Sequence, residues 1–256
     1  MVKVSFIGSG NVASHLAKGF YAKGISVHQI FSPNLKNAEE LAEQVDAKGI
    51  SNIKELDTES VNLIIVSVKD DVLKSVSDSF DSNQTVVAHT SGTVPMDALN
   101  KHKLHGVFYP LQTFSKAKEI DLSNIPFCIE GSSREVRNQL LDFASALSAD
   151  VRNIDSNTRK AIHLSAVFAC NFSNHMLTIA DDLLSESGQD ISILNPLIQE
   201  TIQKALAAKP ADVQTGPAVR KDMDVIENHI QRLEGNPSAQ KIYKDISESI
   251  INWNNE

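Results

Sequence analysis

The chain has little cysteine, no excess of positive charge and no long apolar run, and each absence narrows the field. Two cysteines occur in 256 residues, Cys128 and Cys170. They have neither metal-ligand spacing nor enough partners for a disulfide framework, which suits a reducing cytoplasm. Lys and Arg number 24 against 32 acids, a net charge of −8. Without a basic surplus to displace counterions, broad nucleic-acid binding is not expected. No apolar stretch reaches membrane-spanning length, and the first residues already read as structure rather than as a signal peptide. What remains is ordinary: 41% hydrophobic and 22% charged residues, enough chain for one or two globular domains.

The stretch that organises the rest is VKVSFIGSGNVASHLA, residues 2–17. Val2, Val4, Phe6 and Ile7 read as a short buried strand. Gly8, Gly10 and Ala13 follow in G-x-G-x-x-A spacing, and Leu16, Ala17 and Phe20 carry a helical period. Strand, glycine turn and helix form the unit that cradles a dinucleotide pyrophosphate. Gly8 permits the turn, Gly10 lets phosphate approach, and free backbone N–H groups at the helix start suit an anion. The cofactor contacts expected here are Gly8, Ser9, Gly10, Asn11 and Val12.

The end of the second strand, ISVHQIF (25–31), selects the cofactor. An NAD site places an acid about 20 residues past the glycines. Here the residues are Ser32, Pro33, Asn34, Leu35 and Lys36, and the first acid is Glu39. Ser32 and Asn34 with Lys36 suit a 2′-phosphate, which favours NADP over NAD.

Further strands are expected at 61–68 (VNLIIVSV, ending at Val68 and Lys69), 85–89 (TVVAH, leading to Ser91 and Gly92), 107–109, 126–130 and 150–154, with helices between. Alternating strands and helices imply a doubly wound, mostly parallel α/β sheet, with ligands beyond the carboxyl ends of its strands. After Ile154 no convincing strand follows. The expected division is a dinucleotide-binding domain over 1–154 and an all-helical substrate and dimerisation domain over 155–256.

The helical half should open with Ser156 capping a helix that runs unbroken to Gly188. At about 100° per residue, Phe172, Met176, Ile179 and Leu183 form its core stripe. Asn171, Asn174 and His175 fall about 20° to 120° from His163, in one polar sector, with His163 roughly 12 Å along the axis from Asn171. Helices over 190–208, 222–233 and 238–253 follow, with Pro196 near the start of the first and Asp222 capping the second. Catalytic candidates are Asn171, His175 and His163. His89, Pro110, Gln112 and Arg220 are candidates for holding substrate, Arg220 as a planar donor for an anion. The His163 and His175 pair lacks one-turn spacing and a matching acid, so no metal site is expected. Uncovered apolar surface on a four-helix unit suggests a homodimer.

The segments FIGSGNVASHLA, HTSGTVPMDAL, GVFYPLQTFSK, HLSAVFACNFSNHMLTIAD and TGPAVRKD carry a resemblance. The first half resembles Rossmann domains of the pyrroline-5-carboxylate reductase and deazaflavin-dependent NADP reductase type. The second resembles the C-terminal domains of the 6-phosphogluconate and 3-hydroxyacid dehydrogenase superfamily. The whole chain is similar to NADP oxidoreductases that pair a Rossmann-like domain with a C-terminal domain of unassigned function. The resemblance implies NADP in the crevice, a small-molecule substrate between the domains and a helical dimer interface. The 3-hydroxyacid dehydrogenases place a Lys one turn before an Asn. Asn171 matches that Asn, but Val167 stands at the Lys position, so alcohol oxidation by that route is not implied. A reductase reducing a small polar carbonyl or imine needs less: hydride from the cofactor and a proton from His163, His175 or His89. The competing reading is an NADP-binding protein without turnover, acting as a sensor or assembly partner.

Overall fold

The computed structural model describes residues 2–115 and 117–253. Its contacts divide the chain into two compact units, Met1–Cys170 and Asn171–Glu256. Lys116, which ends the GVFYPLQTFSK segment, lies outside the described residues.

The first unit is built on one eight-stranded sheet: β1 (Lys3–Ile7), β2 (Ser26–Phe31), β3 (Lys48–Ile50), β4 (Leu63–Val66), β5 (Val86–His89), β6 (His105–Pro110), β7 (Phe127–Gly131) and β8 (Val151–Asn153). The order is β3-β2-β1-β4-β5-β6-β7-β8. Every pairing is parallel except β6 with β7, where Tyr109 lies opposite Cys128. The reversal of order at β1 and β4 is the switch point of a doubly wound fold.

Strand geometry explains why the middle of the sheet is apolar throughout. Successive side chains point to opposite faces, so a strand covered on both sides has no polar position to spare. In β4, Leu63 and Ile65 join the core with Val4, Phe6, Leu16, Phe20 and Phe127. Ile64 and Val66 join the opposite core with Ile7, Leu73 and Val87. The first face is covered by α1 (Asn11–Ala22), α2 (Leu35–Ala42) and α4 (Arg134–Ser145), the second by α3 (Asp70–Asp78). Each wholly buried Leu, Ile or Phe contributes roughly 1.5–3 kcal/mol relative to exposure. Caps fix the helix starts. Asn34 accepts from the Lys36 amide before α2, and Ser133 from the Val136 amide before α4.

A helix α5 (Ser156–Ala166) completes the first unit. Its cap is Asp155, which accepts from the Thr158 amide at 2.8 Å. Ser156, expected as the cap, instead donates to Glu130 on β7.

The second unit contains α6 (Ser173–Ser185), α7 (Asn195–Ala207), the short α8 (Pro217–Arg220), α9 (Met223–Arg232) and α10 (Pro237–Trp253). Among its described residues there is no strand. Pro196 lies in the first turn of α7, where no amide is needed. Asp222 caps α9 as expected.

The long helix departs from expectation. The chain stays helical from Ser156 to Ser185, but Val167–Phe172 is π-helical, and α6 ends at Ser185 rather than at Gly188. A π-turn closes i→i+5 bonds and winds less per residue than an α-turn. The angular placement of Asn171, Asn174 and His175 relative to His163 therefore does not hold. Nor is the expected stripe a buried core. No residue of α6 is buried, and Phe172 and Leu183 are exposed. Met176, Ile179 and Leu183 instead line an apolar cavity of about 310 Å³ with Ala218, Ile242 and Ile246. Gly188 adopts a left-handed φ of 68° after the helix end, as its C-terminal role requires.

Candidate active site

The carboxyl ends of β1, β2, β4 and β5 bring together the glycine turn, Ser32, Val68 and Ser91. Gly8 has a φ of 112°, and a Cβ there would lie 2.1 Å from the Ser67 carbonyl oxygen. Only glycine satisfies both constraints. Gly10 differs: its φ is ordinary, and a Cβ would meet nothing within 4 Å. The space above Gly10 is open to whatever approaches from outside.

That space adjoins the start of α1. Gly10 caps the helix with no side-chain acceptor, and the first turn has no acid. The first amides of a helix have no intrahelical acceptor, and the dipole adds a positive end. The open Gly10 and uncapped N-terminus fit a dinucleotide pyrophosphate. The Asn11 side chain is engaged elsewhere, donating to the Phe114 carbonyl at 2.9 Å. That bond lays the segment after β6 across α1, where His15 also meets the carbonyl of Lys118 at 3.0 Å.

At the end of β2, Ser32 is buried and its amide bonds to Ile50, while Asn34 and Lys36 are exposed. The first turn of α2 has no acid. These residues fit a phosphate better than a bare ribose hydroxyl. Beyond β4, Val68 is half-buried and Lys69 exposed.

The loop after β5 is rigidly held. His89 is wholly buried; its Nδ1 accepts from the Ser91 amide at 3.2 Å, and its Nε2 faces the Pro95 carbonyl at 3.4 Å. Burial lowers its pKa to about 4, with the nearby Arg159 guanidinium adding to the effect. Both ring nitrogens are spent on the loop, so His89 shapes the site rather than reaching into it. The Ser91 hydroxyl accepts from the amides of Thr93 and Val94 at 3.1 and 3.0 Å. Thr93 in turn donates to Asp70 at the start of α3.

Arg159 on α5 anchors that helix. Its guanidinium is wholly buried, pairs with Glu130 at 2.7 Å and donates to the Val94 carbonyl and the Ser156 hydroxyl. One turn later, half-buried His163 places Nδ1 3.0 Å from the Tyr109 hydroxyl on β6. A Cβ on Gly92 would lie 2.4 Å from that nitrogen. Gly92, Tyr109 and His163 thus converge from a loop, a strand and a helix. Tyr109 belongs to the Tyr109–Gln112 segment that the sequence places near the nicotinamide, though with no role of its own, and Arg159 is not marked by the sequence at all.

Pro110 is buried in the β6–β7 pairing, and Gln112 is exposed with its side chain turned to Thr113. Asn171, His175 and Arg220 are exposed residues of the second unit. A cavity of about 480 Å³ opens between α1, α2 and residues 118–123. It lies along the later turns of α1, away from the Gly8–Gly10 turn.

Comparison with known proteins agrees with this anatomy. Residues 3–92 match the family described as NADP oxidoreductase coenzyme F420-dependent, and residues 125–250 match a domain of unknown function, DUF2520. No curated protein sequence matches. Among solved structures, the candidate NADP oxidoreductase BF3122 from Bacteroides fragilis is 39% identical, with 98% of each chain covered and a TM-score of 0.91. The 1-pyrroline-5-carboxylate reductase of Streptococcus pyogenes, 13% identical over 98% of each chain, has a TM-score of 0.62. The Aspergillus terreus reductive aminase, solved with NADPH and ethyl-5-oxohexanoate, is 13% identical over 98% of this chain and 92% of its own, with a TM-score of 0.74. The last two share the fold. With its glycine turn, its acid-free β2 end and these matches, the chain belongs to the family of NADP oxidoreductases that join an F420-dependent-type NADP domain to DUF2520.

Proposed function

We propose that this oxidoreductase is a reductase that transfers hydride from NADPH to a small polar carbonyl or imine. The observation that carries the reading is the half-buried His163, held at 3.0 Å by Tyr109 beside Gly92 at the carboxyl edge of the cofactor-binding sheet. A reducible C=O or C=N needs a hydride at carbon and a proton at the heteroatom. Bound NADPH supplies the hydride and leaves as NADP⁺. The chain supplies the rest. The Gly8–Gly10 turn and the α1 start hold pyrophosphate, and the Ser32–Lys36 segment holds the 2′-phosphate. His163 delivers the proton to the oxygen or nitrogen, giving an alcohol or an amine. Asn171 and His175 are proposed to orient the substrate, and Arg220 to hold a carboxylate on it. Val167, where a dehydrogenase of the 3-hydroxyacid type has Lys, is consistent with reduction. The fold shared with a reductive aminase supports the same class.

The test is a panel of keto acids, small ketones with amines and cyclic imines, each incubated with NADPH while the absorbance of reduced cofactor is followed. Turnover with one class identifies the acceptor. NADPH binding without turnover on any member overturns the reading in favour of a sensor or assembly role.

We also propose that the protein is a cytoplasmic homodimer joined through its second unit. No residue of α7 is buried, and Leu197 and Leu206 are 64% and 83% exposed. Sedimentation at micromolar concentration distinguishes dimer from monomer.

A further inference from the structure

The Tyr109 hydroxyl and His163 Nδ1 are 3.0 Å apart, and their rings meet edge to face, with centroids 6.0 Å apart at 68°. Ring packing alone would be served as well by Phe. The hydroxyl adds a hydrogen bond to one particular nitrogen of the imidazole. Gly92 closes the third side: a Cβ there would lie 2.7 Å from His163 Cγ and 3.0 Å from Tyr109 Cζ. The imidazole therefore sits in a slot with little room to turn.

We propose that Tyr109 is a positioning residue that fixes the His163 ring through Nδ1 and leaves Nε2 as the atom that exchanges a proton with substrate. The inference rests on the reductase reading above. The two ring nitrogens of histidine are chemically distinct, and the bond made by one decides the role of the other. Nε2 has no hydrogen-bond partner among the described residues. The ring is half-buried, so Nε2 is not sealed inside the protein as the nitrogens of His89 are. Arg159, one turn earlier, clamps α5 to β7 and to the Val94 carbonyl, which holds the imidazole at a fixed height above the sheet.

The groups around Tyr109 keep its hydroxyl a neutral partner. Burial pushes its pKa up to about 12, Cys128 on β7 and Asp70 on α3 push the same way, and Arg159 on α5 opposes them. Tyr109 therefore keeps its proton across the range in which an imidazole titrates. Its neutral hydroxyl engages Nδ1 and leaves Nε2 as the exchangeable position.

The ring nitrogens of His163 report this directly in the protein without ligands. In ¹⁵N-histidine-labelled protein, with His163→Gln identifying the signal, the wild-type ring is expected to show one defined tautomer. Tyr109→Phe is expected to move both nitrogen shifts toward the averaged values of free imidazole. Identical His163 shifts in the two proteins overturn the proposal. If Tyr109→Phe does not fold, the wild-type spectrum decides alone, since a ring that averages between tautomers in native protein overturns it. Once a substrate is known, Tyr109→Phe should lower kcat roughly tenfold, as expected for a small misplacement of a catalytic group, with KM for NADPH unchanged. A raised KM for NADPH at unchanged kcat counts against a positioning role. Failure of the whole substrate panel would overturn the reductase reading, while the tautomer measurement would still decide the Tyr109–His163 relationship.

Discussion

His89 accepts a hydrogen bond from the Ser91 amide through Nδ1, with its ring wholly buried. An amide can only donate, so this nitrogen is bare and the ring is neutral, with its proton on Nε2 facing the Pro95 carbonyl. A sharp turn at the cofactor edge is thus held by a histidine that must stay uncharged.

Stability should therefore fall in mild acid. The folded-state pKa of His89 is lowered from 6.5 to about 4. Above 6.5 neither state takes up the proton, and the full contribution is present. Between 6.5 and about 4 only the unfolded chain binds it, so stability drops by an order of about 3 kcal/mol, and below about 4 this group causes no further loss. Urea denaturation at several pH values should show that slope in the wild type and a flatter profile in His89→Gln. An unchanged slope in the variant would assign the acid sensitivity to other groups.

Arg159→Met should destabilise the first unit by about 3 kcal/mol. The change leaves Glu130 without its cation and the Val94 carbonyl without its donor, and breaking a buried pair on one side is costly. A shift below about 1 kcal/mol in the stability read from chemical denaturation would mean that Ser156 and water satisfy Glu130 well enough alone.

The two glycines of the first turn should respond oppositely. Gly8→Ala imposes both a left-handed φ and a collision with the Ser67 carbonyl, and should cost about 3 kcal/mol of stability. At Gly10 a Cβ meets no protein atom within 4 Å, so Gly10→Val should fold normally, yet lose NADPH affinity by about 100-fold or more, equivalent to about 2.7 kcal/mol. Calorimetric titration of the folded Gly10→Val protein that returns wild-type affinity would remove the pyrophosphate from this turn.

Cofactor choice should turn on the end of β2. Ser32→Asp places a carboxylate where the wild type has none before Glu39, and repulsion of the 2′-phosphate should reverse the preference from NADPH to NADH. Equal affinity of the wild type for both cofactors would sink the argument.

Residues of the second unit test the substrate side. Asn171→Ala and His175→Gln should lower turnover while leaving NADPH affinity nearly unchanged, the signature of an interaction on the substrate side alone. His163→Gln should cost about 100-fold or more in kcat if it donates the proton. Arg220→Leu should raise KM only for substrates that carry a carboxylate. Full activity in all four variants would place the chemistry elsewhere.

The glycine turn, the apolar β4 strand and the later helix caps are legible from sequence because each depends on local chemistry. Gly8 must turn, a strand buried on both faces must be apolar, and Asp222 must cap the helix that begins beside it. The short β3 strand is not legible: Lys48–Ile50 contains a glycine and no alternation, and it exists because the edge of β2 lies beside it. The π-helical segment is equally silent, since VFACNF has no proline or glycine to announce a change of winding. At the candidate site, His163 is visible as a residue type but its setting is not. Tyr109 lies 54 residues away in sequence and Glu130 is 29 residues before Arg159, so both pairings are products of the sheet. His89 shows the converse: an apparently available imidazole is consumed by the loop beyond it.

The buried guanidinium of Arg159 also constrains the order of assembly. Its partners come from the β7 strand and from the turn after β5, 29 and 65 residues earlier in the chain. A cation cannot enter an apolar interior before its acceptors are in place. Helix α5 can therefore dock only after β7 has added to the sheet and the Val94 turn has closed. In hydrogen exchange the amides of α5 should open together with β7, as one cooperative block, rather than fray independently. The helix that carries His163 is thus latched to the sheet through one guanidinium, and it can leave only by breaking the bonds of Arg159 to Glu130 and to the Val94 carbonyl.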